Sequence, residues 1–523
     1  MRNGHPRSIL ALLVGGLFAL GCIGDVSPAA AFGMFGFGRG GGGGGGFARS
    51  GPGMGAGQMG RMPSRSGVGR VGVGRVGGGR VVDRPPSRGD GPSGHHPVGG
   101  VGISVGVGAA GAGGLGAGNG GSNNNGGGGG GAAAAAAQGN PPFVPDEVIT
   151  AFAPGTTPQA INRMAGRYDL TRVESQDFPL IGNSLYRWRI GGRRSVANVV
   201  RALGSENIVA NVQPNYIFTL QEDQAAAPAA KQDDSLQYAL GKLQIEQAHR
   251  IATGKDVRVA VIDSTIDAKH ADLNGSIVKS FDALGHDDNP HAHGTSIAGA
   301  IAAHGKIVGI APGAQLLAVH AFDDGAGTAK GTSFAIDKGL QWAADNGARI
   351  INMSFAGPAD PMLGRMLTAA YNKNIVLIAA AGNAGPQSEP LYPAADPDVI
   401  AVTATDRDDH VFADANRGRH IAVAAPGVDI LALAPDDKYQ TSTGTSIAAA
   451  HISGIAALLL ERKPSLTPRD IRAILITTAK PLGPPRPDAD SGAGLASAYG
   501  AVTWLDRKPA APEAGAPATQ AQQ

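Results

Sequence analysis

Gly444-Thr445-Ser446-Ile447-Ala448-Ala449-Ala450-His451-Ile452-Ser453-Gly454 is the stretch on which the fold turns. Gly444 has no Cβ, so another backbone can approach it closely. Thr445 and Ser446 occupy positions where N-cap residues belong. Behind them Ile447, Ala450, Ile455, Ala456, Leu458 and Leu459 make the segment apolar on nearly all sides, as in a helix buried inside a sizeable domain. A serine at such a start faces unpaired backbone N–H groups and the positive end of the helix dipole. Those features hold a negative oxygen during acyl transfer. The stretch also reads as a plain N-cap serine on a core helix, so the surrounding chain has to decide.

From 236 to 507 the chain alternates strand and helix patterns. The β-branched run 257–262 reads as a parallel strand buried on both faces. Further strands are expected at 309–319, 348–353, 375–380 and 399–403, and helices at 294–303, 331–345, 361–372 and 446–461. That alternation predicts a doubly wound α/β domain with a mainly parallel sheet. In such sheets functional residues lie at the carboxyl ends of strands. Asp263 stands at the end of the first strand, and an acid there must be paired or hydrogen-bonded, or else be a turn residue. His293 heads a second helix and is followed by a glycine that clears space. His286, Asp288, His291 and His293 are close enough in sequence to raise a metal site, but their spacing matches no recognised set. No metal ligand is therefore assigned. Asn383, between Gly382 and Ala384, follows another parallel strand, where its amide can reach toward Ser446.

Val261-Ile262-Asp263-Ser264, His293-Gly294-Thr295-Ser296-Ile297-Ala298-Gly299, Asn352-Met353-Ser354-Phe355-Ala356-Gly357-Pro358, Ala381-Gly382-Asn383-Ala384-Gly385 and Gly444-Thr445-Ser446-Ile447-Ala448 occur in this order. Together they resemble the motif set of subtilisin-like serine peptidases, whose acid, histidine and serine follow one another in that order. The resemblance covers about half of the chain. It implies a subtilisin-like α/β fold and a serine endopeptidase in which Ser446 attacks the peptide carbonyl, His293 shuttles the proton and Asp263 orients the histidine. It further implies an oxyanion hole made by the Asn383 side chain and the Ser446 backbone N–H. Ser354, Phe355 and Ala356 would pair with extended substrate, and Ala380, Ala381 and Gly382 would wall an apolar or broadly selective pocket. No cofactor is required on this reading. The loop 303–307 is shorter than the family's calcium loop and carries Lys306, so the usual tight calcium site is expected to be absent, with Asp272 structural. Thr265, Ser296, Ala356 and Ala450 depart from the usual motif residues without removing a catalytic atom.

The remaining chain organises itself around that domain. At 523 residues more than one region is expected. The net charge of +2 points to no nucleic-acid partner. Cys22 is the single cysteine, so no intramolecular disulfide forms. Residues 1–31 have a basic start, a short apolar run and Ala29-Ala30-Ala31, the pattern of an export signal peptide. A lipoprotein signal ending at Cys22 is the alternative. Either way the product is expected outside the cytosol, whether secreted, periplasmic or at the cell envelope. Residues 32–140 are Gly-rich low complexity with Arg65, Arg70, Arg75, Arg80, Arg84 and Arg88. They read as a disordered spacer, or as a tether to an anionic envelope surface. Residues 141–222 follow the order β-α-β-β-α-β of a small α+β ferredoxin-like unit, and they resemble the family's inhibitory propeptide. Residues 223–235 read as an exposed linker holding the maturation site, and 508–523 as a disordered tail. The chain is thus expected to be an exported, self-maturing endopeptidase acting on proteins or peptides and inhibited by its own propeptide. The competing reading is a surface or adhesive protein with a catalytically silent scaffold.

Overall fold

The computed structural model describes residues 142–221, 237–286, 288–323, 328–483 and 488–507. The expected signal peptide with Cys22, the Gly-rich segment, the linker 223–235 and the tail 508–523 lie outside the described residues.

The first described element set is β1 (Phe143–Phe152), α1 (Pro158–Arg167), β2 (Leu170–Phe178), β3 (Asn183–Ile190), α2 (Val196–Leu203) and β4 (Val209–Leu220). Both helices start where the local chemistry demands. The Thr157 and Ser195 side chains accept from Ala160 N and Asn198 N, and Pro158 opens α1. Ile161, Met164 and Ala165 of α1, with Val196, Val199 and Leu203 of α2, are buried against Val148, Phe152 and Trp188 of the sheet. Each large side chain buried there contributes about 1.5–3 kcal/mol. The strands form an antiparallel sheet in the order β4-β1-β3-β2.

The second set opens with two short helices, α3 (Tyr238–Lys242) and α4 (Ile245–His249). It continues through β5 (Arg258–Asp263), β6 (Ile277–Asp282), α5 (Ala292–Ala302), β7 (Gln315–His320), β8 (Lys330–Thr332), α6 (Ser333–Asp345), β9 (Ile350–Met353), β10 (Phe355–Ala356) and α7 (Pro361–Asn372). Next come β11 (Val376–Ala380), β12 (Val399–Thr405), β13 (Ile421–Pro426), and the hairpin β14 (Ile430–Ala434) with β15 (Lys438–Ser442). The set ends with α8 (Thr445–Arg462), α9 (Pro468–Thr478) and α10 (Ala498–Trp504). Seven strands form one parallel sheet ordered β13-β12-β11-β9-β5-β7-β6. This is the doubly wound, mainly parallel α/β architecture expected from the alternation. Alternate residues of β5 feed its two faces. Val259 and Val261 pack with α5, α8, α9 and α10, while Ala260 and Ile262 pack with α6 and α7. The chain leaves β5 toward β7 and β6, then returns to its other side at β9. That reversal opens a crevice at the carboxyl ends of β5 and β9.

Residues 309–314 do not extend β7. Gly309, Ile310 and Ala311 instead donate backbone bonds to the carbonyls of Ala303, Ala300 and Ile301 at the end of α5. Pro312 has no N–H to give a sheet ladder. The strand β4 belongs to two neighbourhoods. It pairs with β1 on one side, and its end pairs antiparallel with β10 and β8, Leu220 opposite Phe355 and Thr219 opposite Ala356 and Lys330.

Candidate active site

Asp263, the last residue of β5, is fully buried, and its Oδ1 collects three donors. Ser264 N lies at 2.8 Å, Ser264 Oγ at 3.1 Å and His293 Nδ1 at 2.7 Å. These donors satisfy one oxygen of a carboxylate that burial cuts off from water. The Nδ1 contact leaves Nε2 of His293 as the nitrogen turned to other partners. His293 lies in the first turn of α5, one residue further inside than expected, because His291 is the N-cap and accepts from His293 N. Gly294 is required by packing: a Cβ there would come within 2.5 Å of Ser264 O. Gly294 N donates to Ser264 Oγ at 3.1 Å, which ties the helix start to the strand end.

Ser446 opens α8 and is 2% exposed. The N-cap is Gly444, at φ +146°, a conformation that side-chain residues rarely adopt. A Cβ on Gly444 would stand 2.8 Å from Asn383 Nδ2 and 3.1 Å from Gln221 O, so glycine keeps this corner open. Asn383 is fixed by its Oδ1, which accepts from Thr445 N at 3.1 Å and Thr445 Oγ1 at 2.8 Å. Its Nδ2 is thereby aimed outward and donates to Gln221 O at 3.2 Å. Ser446 Oγ donates to the same Gln221 oxygen at 2.9 Å, and to Ser354 O at 3.2 Å.

The end of β4 thus lies in the crevice as an extended ligand. Gln221 N donates to Ser354 O at 3.3 Å. The Gln221 side chain folds back, with Nε2 donating to Thr219 O at 3.2 Å and Oε1 accepting from Asn383 N at 2.9 Å. Phe218 is fully buried edge-on to Phe355, with ring centroids 5.9 Å apart. Ala380 and Ala381 are fully buried at the end of β11, and Gly382 N donates to Thr445 Oγ1 at 3.1 Å.

The structure brings Asn383, Ser446, Ser354, Phe355 and Ala356 around the end of β4, with Asp263 and His293 joined directly. The residues raised for a metal separate: His286 pairs with Asp288 at 3.2 Å, while His293 faces Asp263. Among the described residues no three His, Cys, Asp or Glu side chains converge on a metal position. Asp272 is held by Ile307 N at 3.0 Å and Tyr439 OH at 3.1 Å. Burial pushes its carboxyl up, but these donors and Lys306 N outweigh burial and leave it below its ordinary range. Sequence reasoning did not assign Thr445 or Gln221. The first adjoins the serine in the quoted motif; the second touches the site only through tertiary structure.

A profile of the subtilase family matches residues 254–494. Thermitase from Thermoactinomyces vulgaris is 37% identical over 276 residues, covering 51% of this chain and 94% of thermitase. Subtilisin E from Bacillus subtilis (strain 168) is 37% identical over 276 residues, covering 50% of this chain and 70% of its own. Among solved structures, fervidolysin from Fervidobacterium pennivorans, described as a keratinolytic enzyme related to subtilisin, superposes with a TM-score of 0.61 at 24% identity. That match covers 69% of this chain and 61% of fervidolysin, so the chain spans about three fifths of that protein, and the likeness concerns the fold.

Proposed function

The chain belongs to the subtilase family and is a serine-type endopeptidase, and we propose that it is exported and matures by cutting itself after Gln221. In this reading Ser446 Oγ attacks the Gln221 carbonyl carbon and passes its proton to His293. Asp263 holds the imidazole in the useful tautomer and stabilises its charged form. Asn383 Nδ2 and the Ser446 N–H take the negative charge that develops on the carbonyl oxygen. The bond to Glu222 breaks, and its nitrogen leaves with the proton from His293. Water then releases the acyl group by the same route, and the proton returns to Ser446. The same steps act on protein substrates laid between β8 and β10 as an added strand.

The observation that carries this reading is the Gln221 carbonyl oxygen, 2.9 Å from Ser446 Oγ and 3.2 Å from Asn383 Nδ2. It also supports 141–222 as an inhibitory propeptide, because β4 fills the groove that a substrate would need. Export and retention at the envelope rest on the composition of residues 1–140. Independence from calcium is supported by Asp272, whose carboxylate is taken up by Ile307 N and Tyr439 OH. A Cβ on Gly305 would come within 2.1 Å of Asp272 Oδ1, so the loop packs directly on that oxygen.

The test is the intact mass of the chain expressed from residue 32, with Ser446→Ala alongside. Wild type is expected to divide between Gln221 and Glu222 while the variant stays whole. Division of both at the same bond would assign the cut to another protease.

A further inference from the structure

Two carboxyl groups of the α/β domain are buried together under the small sheet, away from the catalytic residues. Asp360 is the N-cap of α7. Its Oδ1 accepts from Met362 N at 2.9 Å, Leu363 N at 3.0 Å and Gln213 Nε2 of β4 at 2.7 Å. Ser333 Oγ donates to its Oδ2. Asp337, within α6, is fully buried, and neither oxygen has a hydrogen-bond partner among the described residues. Ser333, Asp337 and Gln341 recur every four residues and share one face of α6. Both outer members of that face touch the small unit. Ser333 Oγ accepts from Tyr216 N at 3.1 Å, and Gln341 Oε1 accepts from Leu180 N at 2.9 Å. The small unit therefore lies over Asp337.

We propose that Asp337 and Asp360 form a pH-sensitive latch between propeptide and peptidase: docking keeps a proton on the pair, and its loss as pH rises drives the propeptide off. This rests on the reading of 141–222 as an inhibitory propeptide.

Among the described residues neither carboxyl of the pair is joined to a lysine or arginine in an ion pair. From β4 it meets Gln213, Asn215 and Tyr216. Arg187 of β3 is engaged by Glu147 of β1 at 2.7 Å, and Glu147 also accepts from Asn215 at 2.8 Å. Arg189 divides between Asp146 and Glu147 at 3.5 and 3.6 Å. Lys338, next to Asp337 on α6, pairs with Glu174 of β2 at 2.7 Å. Asp345 accepts from Gln341 Nε2 at 2.8 Å. Burial, and then the neighbouring Asp360, raise the Asp337 carboxyl well above its ordinary range. Burial raises Asp360 as well, against four hydrogen bonds that favour its ionised form. Burial and Asp360 raise the Tyr216 phenol.

The sign follows. In the docked form the carboxyls hold protons more tightly than when exposed to water, where they ionise near pH 4. Docking is thus fully favoured below that range and is lost as pH climbs through the raised docked values. Each proton that must be given up weakens docking about tenfold per pH unit.

The experiment uses the full chain with Ser446→Ala, so that the propeptide stays attached. Hydrogen exchange is followed at Phe334 N, which donates across the interface to Asn215 Oδ1 at 3.3 Å. After correction for intrinsic exchange, protection is expected to fall about tenfold per pH unit as pH rises above the ordinary carboxylate range. Adding Asp337→Asn, or Asp337→Leu should the amide disturb folding, is expected to flatten that slope. Protection independent of pH in the Ser446→Ala chain, or an unchanged slope in both Asp337 variants, overturns the latch. A wild-type chain that never cuts itself would remove the self-maturation reading yet leave the exchange slope in place, so the two fail separately.

Discussion

Asp263 and Asp337 are both fully buried carboxyls, yet their surroundings treat them in opposite ways. Asp263 meets three donors within 3.1 Å on one oxygen. Asp337 meets no donor among the described residues and has another carboxylate for a neighbour. Burial alone therefore does not decide whether an acid is charged. The count and direction of donors do. In the cleft, hydrogen bonds from Ser264 and His293 hold the acid in place and tie the strand end to the helix start. At the interface, burial and a second carboxyl group make charge harder to hold while the small unit stays.

The same substitution should break the two sites differently. Asp263→Asn is expected to lower kcat by about 10⁴, because an amide can hold the histidine in the wrong tautomer and stabilises no positive charge. Turnover of a chromogenic peptide by mature enzyme measures it, and a loss under tenfold would remove Asp263 from the mechanism. Asn383→Leu should cost about 10²–10³ in kcat with KM little changed, a magnitude carried over from subtilisin itself. A comparable rise in KM instead would mean that the amide binds substrate and does not stabilise the developing charge.

His451 extends the comparison to a buried base. Burial lowers its imidazole to about 4, against a bond between Nδ1 and Pro426 O that favours the proton. The folded form therefore stays neutral where the unfolded chain takes up a proton. Stability should be unaffected above about pH 6.5 and should fall by about 3 kcal/mol by pH 4. Denaturant unfolding of Ser446→Ala with and without His451→Gln isolates this contribution. An identical pH dependence in both would sink it. The last effect belongs to Asp337→Asn, which should leave kcat of the mature enzyme intact and slow propeptide release above the ordinary carboxylate range, by about tenfold for each pH unit over which wild-type docking weakens. Release is read as the lag before full activity; an unchanged lag counts against the latch.

Much of the cleft was legible because its residues announce themselves locally. An acid ends a β-branched run, a His-Gly pair opens a helix, and Gly-Thr-Ser precedes an apolar one. The β-α-β-β-α-β order of 141–222 was readable for the same reason, from alternation and from Thr157-Pro158 and Ser195 as caps. What escaped depends on distant packing. Ser333, Asp337 and Gln341 make a polar stripe that reads as a solvated face of α6; only the small sheet turns it into a buried one. Gln221 looks like the polar end of the small unit, and its place beside Ser446 follows from β4 continuing between β8 and β10. At 309–314 an apolar run imitated a strand, but its backbone groups are taken by α5.

Phe218-Thr219-Leu220-Gln221 lies along the groove with its last carbonyl against the serine. If the chain cuts itself after Gln221 as proposed, it carries a sample of what its groove accepts, four residues long and already in register. An assay reagent need not be found by screening: Phe-Thr-Leu-Gln, with a chromophore in place of Glu222, can be copied directly from the gene product.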